Sequence, residues 1–181
     1  MILPVTVAGI AVAIDQVTKA IASSSLGRDA DTHRFELLGS LLAFEYIENT
    51  GAAFGVLNGQ VVALTLIAAG IVALLIWRSV RVGLSSPMLA ASLGLLIGGA
   101  LGNIIDRVRL GYVVDFVAVG VWPKFNVADS AVTIGVVLIA WLMSREDYRS
   151  RDARADVSSG ADVHSAAVDG RPIAKRYVEG G

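Results

Sequence analysis

The chain has 181 residues, of which 55% are hydrophobic and only 17% charged, and its mean hydropathy is +0.66. This composition indicates a membrane protein with one domain rather than a soluble one. A formal net charge of −1 offers no basic face to nucleic acid, and the absence of cysteine excludes disulfides, thiolate metal sites and a cysteine nucleophile. His33 and His164 lie in separate polar segments, which argues against a histidine zinc site or a Ser-His-Asp triad.

The first apolar run covers residues 2–21 and is long enough to cross the bilayer as a helix. Asp15, Gln16 and Lys19 interrupt the run, and it lacks a basic n-region, so a retained helix is favoured over a cleaved signal peptide. Asp15 and Lys19 are spaced i,i+4 and share a helix face, where they can pair. We expect a structural ion pair pointing into the bundle; direct contact with a substrate is the alternative.

Residues 23–59 are predicted to form a small folded cap, because a polar loop of this length is uncommon as a simple connection. Leu37–Leu42 and Ala43–Ile47 have the apolar, β-tolerant pattern of short strands. The sequence NTGAAFG follows from Asn49 to Gly55, and its small residues allow the backbone to approach another group closely. The Asn49 amide offers both donors and an acceptor, although a plain tight turn also explains this stretch.

Three further apolar runs, residues 61–77, 88–105 and 127–143, are each predicted to span the membrane. The run at 88–105 is rich in Gly and Ala, which allow close packing of membrane helices. The predicted fold is therefore an all-α membrane protein with four transmembrane helices and a small extracytoplasmic β-containing cap, made of residues 23–59 and 107–126. Residues 147–181 are polar and have few large apolar side chains, so they are predicted to be a disordered cytoplasmic tail.

The basic residues indicate the orientation of the four spans. More of them lie close to the span ends on the side of the termini than on the other side, so both termini are predicted to be cytoplasmic. The candidate catalytic residues then lie at the outer face. The basic residues on the side of the termini are Arg78, Arg81, Arg145, Arg149, Arg151 and Arg154. Those on the other side are Arg28, Arg34, Arg107, Arg109 and Lys124.

Three aspartates, Asp106, Asp115 and Asp129, lie at the edges of apolar runs, where carboxylates are costly and usually functional. Asp115 belongs to a predicted short strand, Tyr112–Val117, and Asp129 begins the fourth helix with Asn126 as its N-cap. If the intervening loop folds back, the two carboxyls meet and one of them keeps a proton. An acid and a base then flank a water molecule, as in aspartic proteases.

The spacing alone leaves the choice of pair open, because Asp106 with Asp129 competes closely with Asp115 with Asp129. Asp106 is followed by Arg107 at a helix end, a context that suits a supporting group. A purely structural interpretation, in which the aspartates cap helices or pair with arginines, also remains. Two other functions also remain as alternatives. One is a small transporter or proton channel, which would place carboxylates deep in the spans, and the other is a non-catalytic membrane scaffold.

Five motifs, in order, resemble those of lipoprotein signal peptidase (signal peptidase II), the bacterial intramembrane aspartyl peptidase family. Together they extend over nearly all of residues 10 to 144. They are Asp15-Gln-Val-Thr-Lys19, Asn49-Thr-Gly-Ala-Ala-Phe54, Gly98-Gly-Ala-Leu-Gly-Asn103-Ile-Ile-Asp106-Arg107, Val113-Val-Asp115-Phe116 and Phe125-Asn126-Val-Ala-Asp129-Ser130.

The resemblance implies that Asp115 and Asp129 are catalytic. It implies a diacylglyceryl-modified prolipoprotein as substrate, cut just before the lipidated cysteine, in the bacterial cytoplasmic membrane. It also implies globomycin-type inhibitors and membrane lipid as further partners. It implies no metal and no organic cofactor. Other matched positions bind substrate or order the site (Asn49, Gly51, Asn103, Arg107 and Asn126) or support it (Asp15, Lys19 and Asp106). We also hypothesise that Phe54 or Trp122 contacts the lipid or the inhibitor, although either could simply anchor the protein at the membrane interface.

Overall fold

The computed structural model describes residues 2–27, 34–39, 41–51, 59–82, 84 and 86–145. These residues contain four helices that are long and apolar enough to cross a membrane, together with one three-stranded sheet. The predicted class, a four-helix membrane protein with a small β-containing cap, is therefore confirmed. In chain order the elements are α1 (Ile2–Leu26), β1 (Arg34–Glu36), β2 (Leu42–Asn49), α2 (Val61–Val82), α3 (Pro87–Leu110), β3 (Val113–Val119) and α4 (Val127–Arg145).

The helices extend beyond the predicted spans, and α1 continues through its serine-rich end to Leu26. There the Ser24 hydroxyl donates to the Ile21 carbonyl at 3.0 Å, which satisfies this polar side chain within the helix. At the start of α3, the Ser86 hydroxyl is the N-cap and accepts a hydrogen bond from the Leu89 N–H at 3.2 Å.

The small residues of α3 bring this helix into backbone contact with both α1 and α4. A Cβ added to Gly98 would lie 2.6 Å from the Ala8 carbonyl oxygen of α1, and one added to Gly99 would collide with the Ala128 carbonyl of α4. Such close approach lets membrane helices pack by van der Waals contact. The helix α2 packs against α3 but is otherwise mostly exposed, as expected of a lipid-facing helix.

The sheet is antiparallel in the order β1-β2-β3, and its pairing places Ile47 opposite Asp115. The strand predicted at Tyr112–Val117 is present as β3, and Ala43–Ile47 lies within β2. The strand predicted at Leu37–Leu42 is wrong, because the chain turns there. Gly39 has a φ of +55°, and the N–H groups of Leu37 and Leu38 both donate to the Leu42 carbonyl, at 3.0 and 3.1 Å.

The chain divides into two compact units, residues 1–139 and 140–181. Of the second unit the structure describes residues 140–145, where the Arg145 guanidinium lies 4.6 Å from the centroid of the Trp141 ring. The predicted tail, residues 147–181, lies outside the described residues, and so does Phe54.

Candidate active site

A cavity of about 560 Å³ lies where β3 meets the N-terminus of α4. Its wall contains both aspartates that were predicted to be catalytic, Asp115 on β3 and Asp129 on α4. Four of the predicted site-ordering residues also line it, namely Asn49, Gly51, Asn103 and Arg107. The rest of the wall is mostly apolar and includes Val132, Thr133 and Ile134 of α4.

The two aspartates share this cavity because the segment after β3 folds back onto the strand. The Val117 N–H donates to the Phe125 carbonyl at 2.9 Å, and the Phe125 N–H donates to the Val117 carbonyl at 3.1 Å. These two bonds close a loop over residues 118–124. Asn126 follows Phe125 and directly precedes α4, so α4 begins beside the strand that carries Asp115.

The Asn126 side chain, which is 0% exposed, bonds to both aspartates. Its Oδ1 accepts from the Asp129 N–H at 2.9 Å, while Asp129 Oδ2 accepts from the Asn126 N–H at 3.3 Å. This is a reciprocal N-cap, so the predicted capping role of Asn126 is confirmed. Asn126 Nδ2 donates to Asp115 Oδ1 at 2.8 Å. Asn126 therefore bonds to both carboxyls, to that of Asp115 through its side-chain amide and to that of Asp129 through its backbone N–H.

Two further asparagines complete the polar surroundings of the pair. Asn49 Nδ2 donates to Asp115 Oδ2 at 2.8 Å, and Asn103 Nδ2 donates to Asp129 Oδ1, also at 2.8 Å. The orientation of the Asn49 amide is fixed locally, because its Oδ1 accepts from the Gly51 N–H at 2.9 Å. This bond forms a local Asx turn at the end of β2.

Burial raises the pKa of the Asp115 carboxyl to about 7, from its usual value of 3.8. The hydrogen bond from Asn49 opposes this shift, the nearby Asp129 carboxylate adds to it, and Asn126 and Lys19 oppose it. Asp115 is 2% exposed, so little water is available to stabilise its ionised form. Below about pH 7, this carboxyl therefore mostly holds a proton beside a second carboxyl in the same cavity.

The predicted supporting residues form a buried ion cluster behind the cavity. Lys19 Nζ lies 2.9 Å from Asp15 Oδ2 and 2.9 Å from Asp106 Oδ2, so the expected pair between Asp15 and Lys19 is present. Asp106 lies outside the cavity wall. The geometry therefore does not favour the alternative pairing of Asp106 with Asp129.

Three polar residues near the site were not singled out from the sequence. Gln16 Nε2 donates to Asp106 Oδ1 at 3.0 Å and to Asp15 Oδ2 at 3.2 Å, and its position inside an apolar run was the available signal. Lys124, in the cavity wall, pairs with Glu45 of β2 at 3.3 Å. That pair depends on the folding of the loop onto the sheet, so no local sequence pattern predicts it.

A second cation, Arg107, also lines the cavity wall. Its guanidinium interacts electrostatically with the carboxyls of Asp129, Asp115 and Asp106. It forms no hydrogen bond or ion pair with another described residue, so its N–H donors can bind a substrate. Within the same part of the chain, no group of three or more His, Cys, Asp or Glu side chains is arranged to hold a metal ion.

The fold defines a multi-pass membrane protein, and the buried carboxyl pair beside a cavity is typical of acid–base enzymes. The model of the signal peptidase (SPase) II family matches residues 7–145. The lipoprotein signal peptidase of Rhodococcus jostii (strain RHA1) is 42% identical over 146 residues, which cover 75% of this chain and 69% of that protein. The lipoprotein signal peptidase of Moorella thermoacetica is 39% identical over 132 residues, covering 71% and 84%.

Two solved structures support the same relationship. A bacterial membrane enzyme determined by the in meso method at 2.3 Å resolution has a TM-score of 0.71 and 33% identity, covering 80% of this chain and 88% of that chain. A second bacterial membrane enzyme, at 1.9 Å resolution, has a TM-score of 0.67 and 34% identity, covering 77% and 91%. The chain therefore belongs to the signal peptidase II family, and it is a peptidase.

Proposed function

We propose that this chain is an aspartic-type endopeptidase that removes the signal peptide from diacylglyceryl-modified prolipoproteins, cutting just before the lipidated cysteine. One observation supports the mechanism above all: Asp115 and Asp129 line one cavity and both bond to Asn126. The relatives named lipoprotein signal peptidase support the choice of substrate.

In the proposed reaction, Asp129 takes a proton from a water molecule, whose oxygen attacks the scissile carbonyl carbon. Asp115 donates its proton to the carbonyl oxygen, since a pKa of about 7 leaves a substantial fraction of this carboxyl protonated at neutral pH. When the tetrahedral intermediate collapses, the C–N bond breaks, Asp129 gives the proton that it took from water to the leaving amine of the cysteine, and Asp115 recovers a proton from a hydroxyl group of the intermediate. The products are a carboxylic acid on the signal peptide and an amine on the lipoprotein, and the carboxyl pair returns to its starting state.

The surroundings of the pair suit a substrate that arrives from the membrane. Part of the cavity wall is formed by apolar residues of α4, so the acyl chains can remain in lipid while the peptide reaches the carboxyls. The Arg107 guanidinium offers donors to peptide carbonyl groups. Trp122 lines the cavity and is 65% exposed, which is compatible with contact to lipid or to a globomycin-type inhibitor.

We place this multi-pass protein in the bacterial cytoplasmic membrane, with both termini in the cytoplasm and the cavity at the outer face. The distribution of Arg and Lys supports this orientation. In this arrangement residues 1–146 form the peptidase domain and residues 147–181 form a cytoplasmic tail.

The test uses the purified full chain in detergent and two substrates: a diacylated prolipoprotein and the same polypeptide with an unmodified cysteine. We expect kcat/KM to be about 100-fold higher for the diacylated form, because binding energy from the acyl chains contributes to transition-state stabilisation. Mass spectrometry of the products should place the cut just before the cysteine. Equal cleavage of both substrates would contradict the substrate assignment, and a cut elsewhere would contradict the site. No cleavage of either would favour the scaffold or transporter interpretation.

A further inference from the structure

Two carboxylates outside the proposed catalytic pair each bind the main chain directly before one of the catalytic aspartates. Asp15 Oδ1 accepts from the N–H of Ala128, the residue before Asp129, at 2.9 Å. Asp106 Oδ2 accepts from the N–H of Val114, the residue before Asp115, at 3.1 Å. The two supporting aspartates therefore stand in equivalent relations to the two catalytic ones.

Lys19 joins these two carboxylates. Its ammonium group lies 2.9 Å from Asp15 Oδ2, 2.9 Å from Asp106 Oδ2 and 2.9 Å from Asn103 Oδ1. These contacts use all three donors of the group. The third partner, Asn103, is the residue that donates to Asp129. Lys19 therefore connects to Asp129 through Asn103, and to Val114, the residue before Asp115, through Asp106.

The cluster is almost completely buried, with exposed fractions of 0% for Asp15, 3% for Lys19 and 3% for Asp106. A buried ion cluster of this kind is often no more stabilising than apolar residues of the same volume. Its geometric effect is clear, however: α1 carries Asp15 and Lys19, α3 carries Asp106, and the groups they hold belong to α4 and β3. Four elements are thereby tied together at the catalytic pair.

We propose that Asp15, Lys19 and Asp106 are positioning residues, a charged clasp that sets the separation and orientation of the Asp115 and Asp129 carboxyls. The inference rests on the proposed function, in which those two carboxyls act on one water molecule. Small displacements of either carboxyl would then reduce the rate of the chemical step and leave substrate binding nearly unchanged.

Gly102 offers a test that changes no charge. A Cβ at this position would lie 2.5 Å from Asp15 Oδ2, so Gly102→Ala should push the Asp15 carboxylate out of the clasp. We expect kcat to fall about 100-fold while KM changes by less than about threefold. The matched control is Gly9→Ala on α1, where an added Cβ meets nothing within 4 Å and kcat should not change.

A second pair of variants, at residue 106, tests the hydrogen-bond acceptor separately from the volume of the side chain. Asp106→Leu removes the acceptor for Val114 and should lower kcat about 100-fold, whereas Asp106→Asn keeps a carbonyl oxygen there and should recover about tenfold of that loss. Melting temperatures of the purified variants are measured alongside. A merely structural role would lower the melting temperature and leave the kcat of the folded protein unchanged.

The outcomes distinguish the clasp from the proposed function. If Gly102→Ala or Asp106→Leu keeps the wild-type kcat while Asp115→Asn is inactive, the clasp is wrong and the proposed function stands. If Asp115→Asn itself keeps wild-type activity, the proposed function is wrong. Should Asp106→Leu fail to fold, the charge-neutral change at Gly102 decides.

Discussion

Replacing either Asp115 or Asp129 with asparagine is expected to lower kcat by about 10⁴-fold, because each change removes one partner of the acid–base pair. The amide keeps nearly the same volume and can still form hydrogen bonds with the neighbouring asparagines, so the fold should persist. The measurement is a single-turnover gel-shift assay with a diacylated prolipoprotein, carried out on purified protein in detergent.

The control for these two variants is Glu36→Gln, the same chemical change on β1. The Glu36 side chain is 53% exposed and pairs with Arg34 at 3.1 Å, away from the residues that line the cavity. We expect this variant to cleave at the wild-type rate. If Asp115→Asn or Asp129→Asn retains a similar rate, the pair does not carry out the reaction.

The second large effect is expected for Asn126→Ala. This change removes the N-cap of α4 and the hydrogen bond to Asp115, both of which position the catalytic carboxyls. We expect kcat to fall about 100-fold from misplacement of the pair. The free energy of unfolding should fall by about 1–2 kcal/mol from the lost cap. Kinetics and thermal unfolding on the same preparation measure the two effects.

Ser86→Ala is the matched control, since Ser86 is the N-cap of α3 and accepts from the Leu89 N–H at 3.2 Å. It lies about 25 Å along the helix from Asn103, by the rise of an α-helix. This variant should lose about 1 kcal/mol of stability and keep its kcat. A similar loss of kcat in both variants would mean that destabilisation, and not positioning, explains the effect at Asn126.

Local sequence patterns predicted the features that depend on neighbouring residues. The four apolar runs predicted the membrane helices, the i,i+4 spacing predicted the pair between Asp15 and Lys19, and Asn126 was predicted as an N-cap. The strand that carries Asp115 was also recognised, because Val-rich segments favour β-structure.

The features that the sequence did not predict depend on contacts between distant segments. The sequence left Asp106 and Asp115 as competing partners of Asp129, and only the fold brings Asp106 to Lys19, which lies 87 residues earlier in the chain. The turn within Leu37–Leu42 depends on a positive φ at Gly39, which the two flanking pairs of leucines conceal. The bond from Asn49 to Asp115 depends on the pairing of β2 with β3.

The proposed mechanism requires one proton on the carboxyl pair near neutral pH, and infrared spectroscopy of the purified protein can count it. The raised pKa of Asp115 means that this group is neutral below about 7 and ionised above it. We expect the carbonyl stretch of one protonated carboxylic acid to disappear with a midpoint near pH 7, and we expect Asp115→Asn to lack that titration. If both carboxyls of the wild-type protein are already ionised at about pH 5, or if the titration survives in Asp115→Asn, the mechanism is wrong.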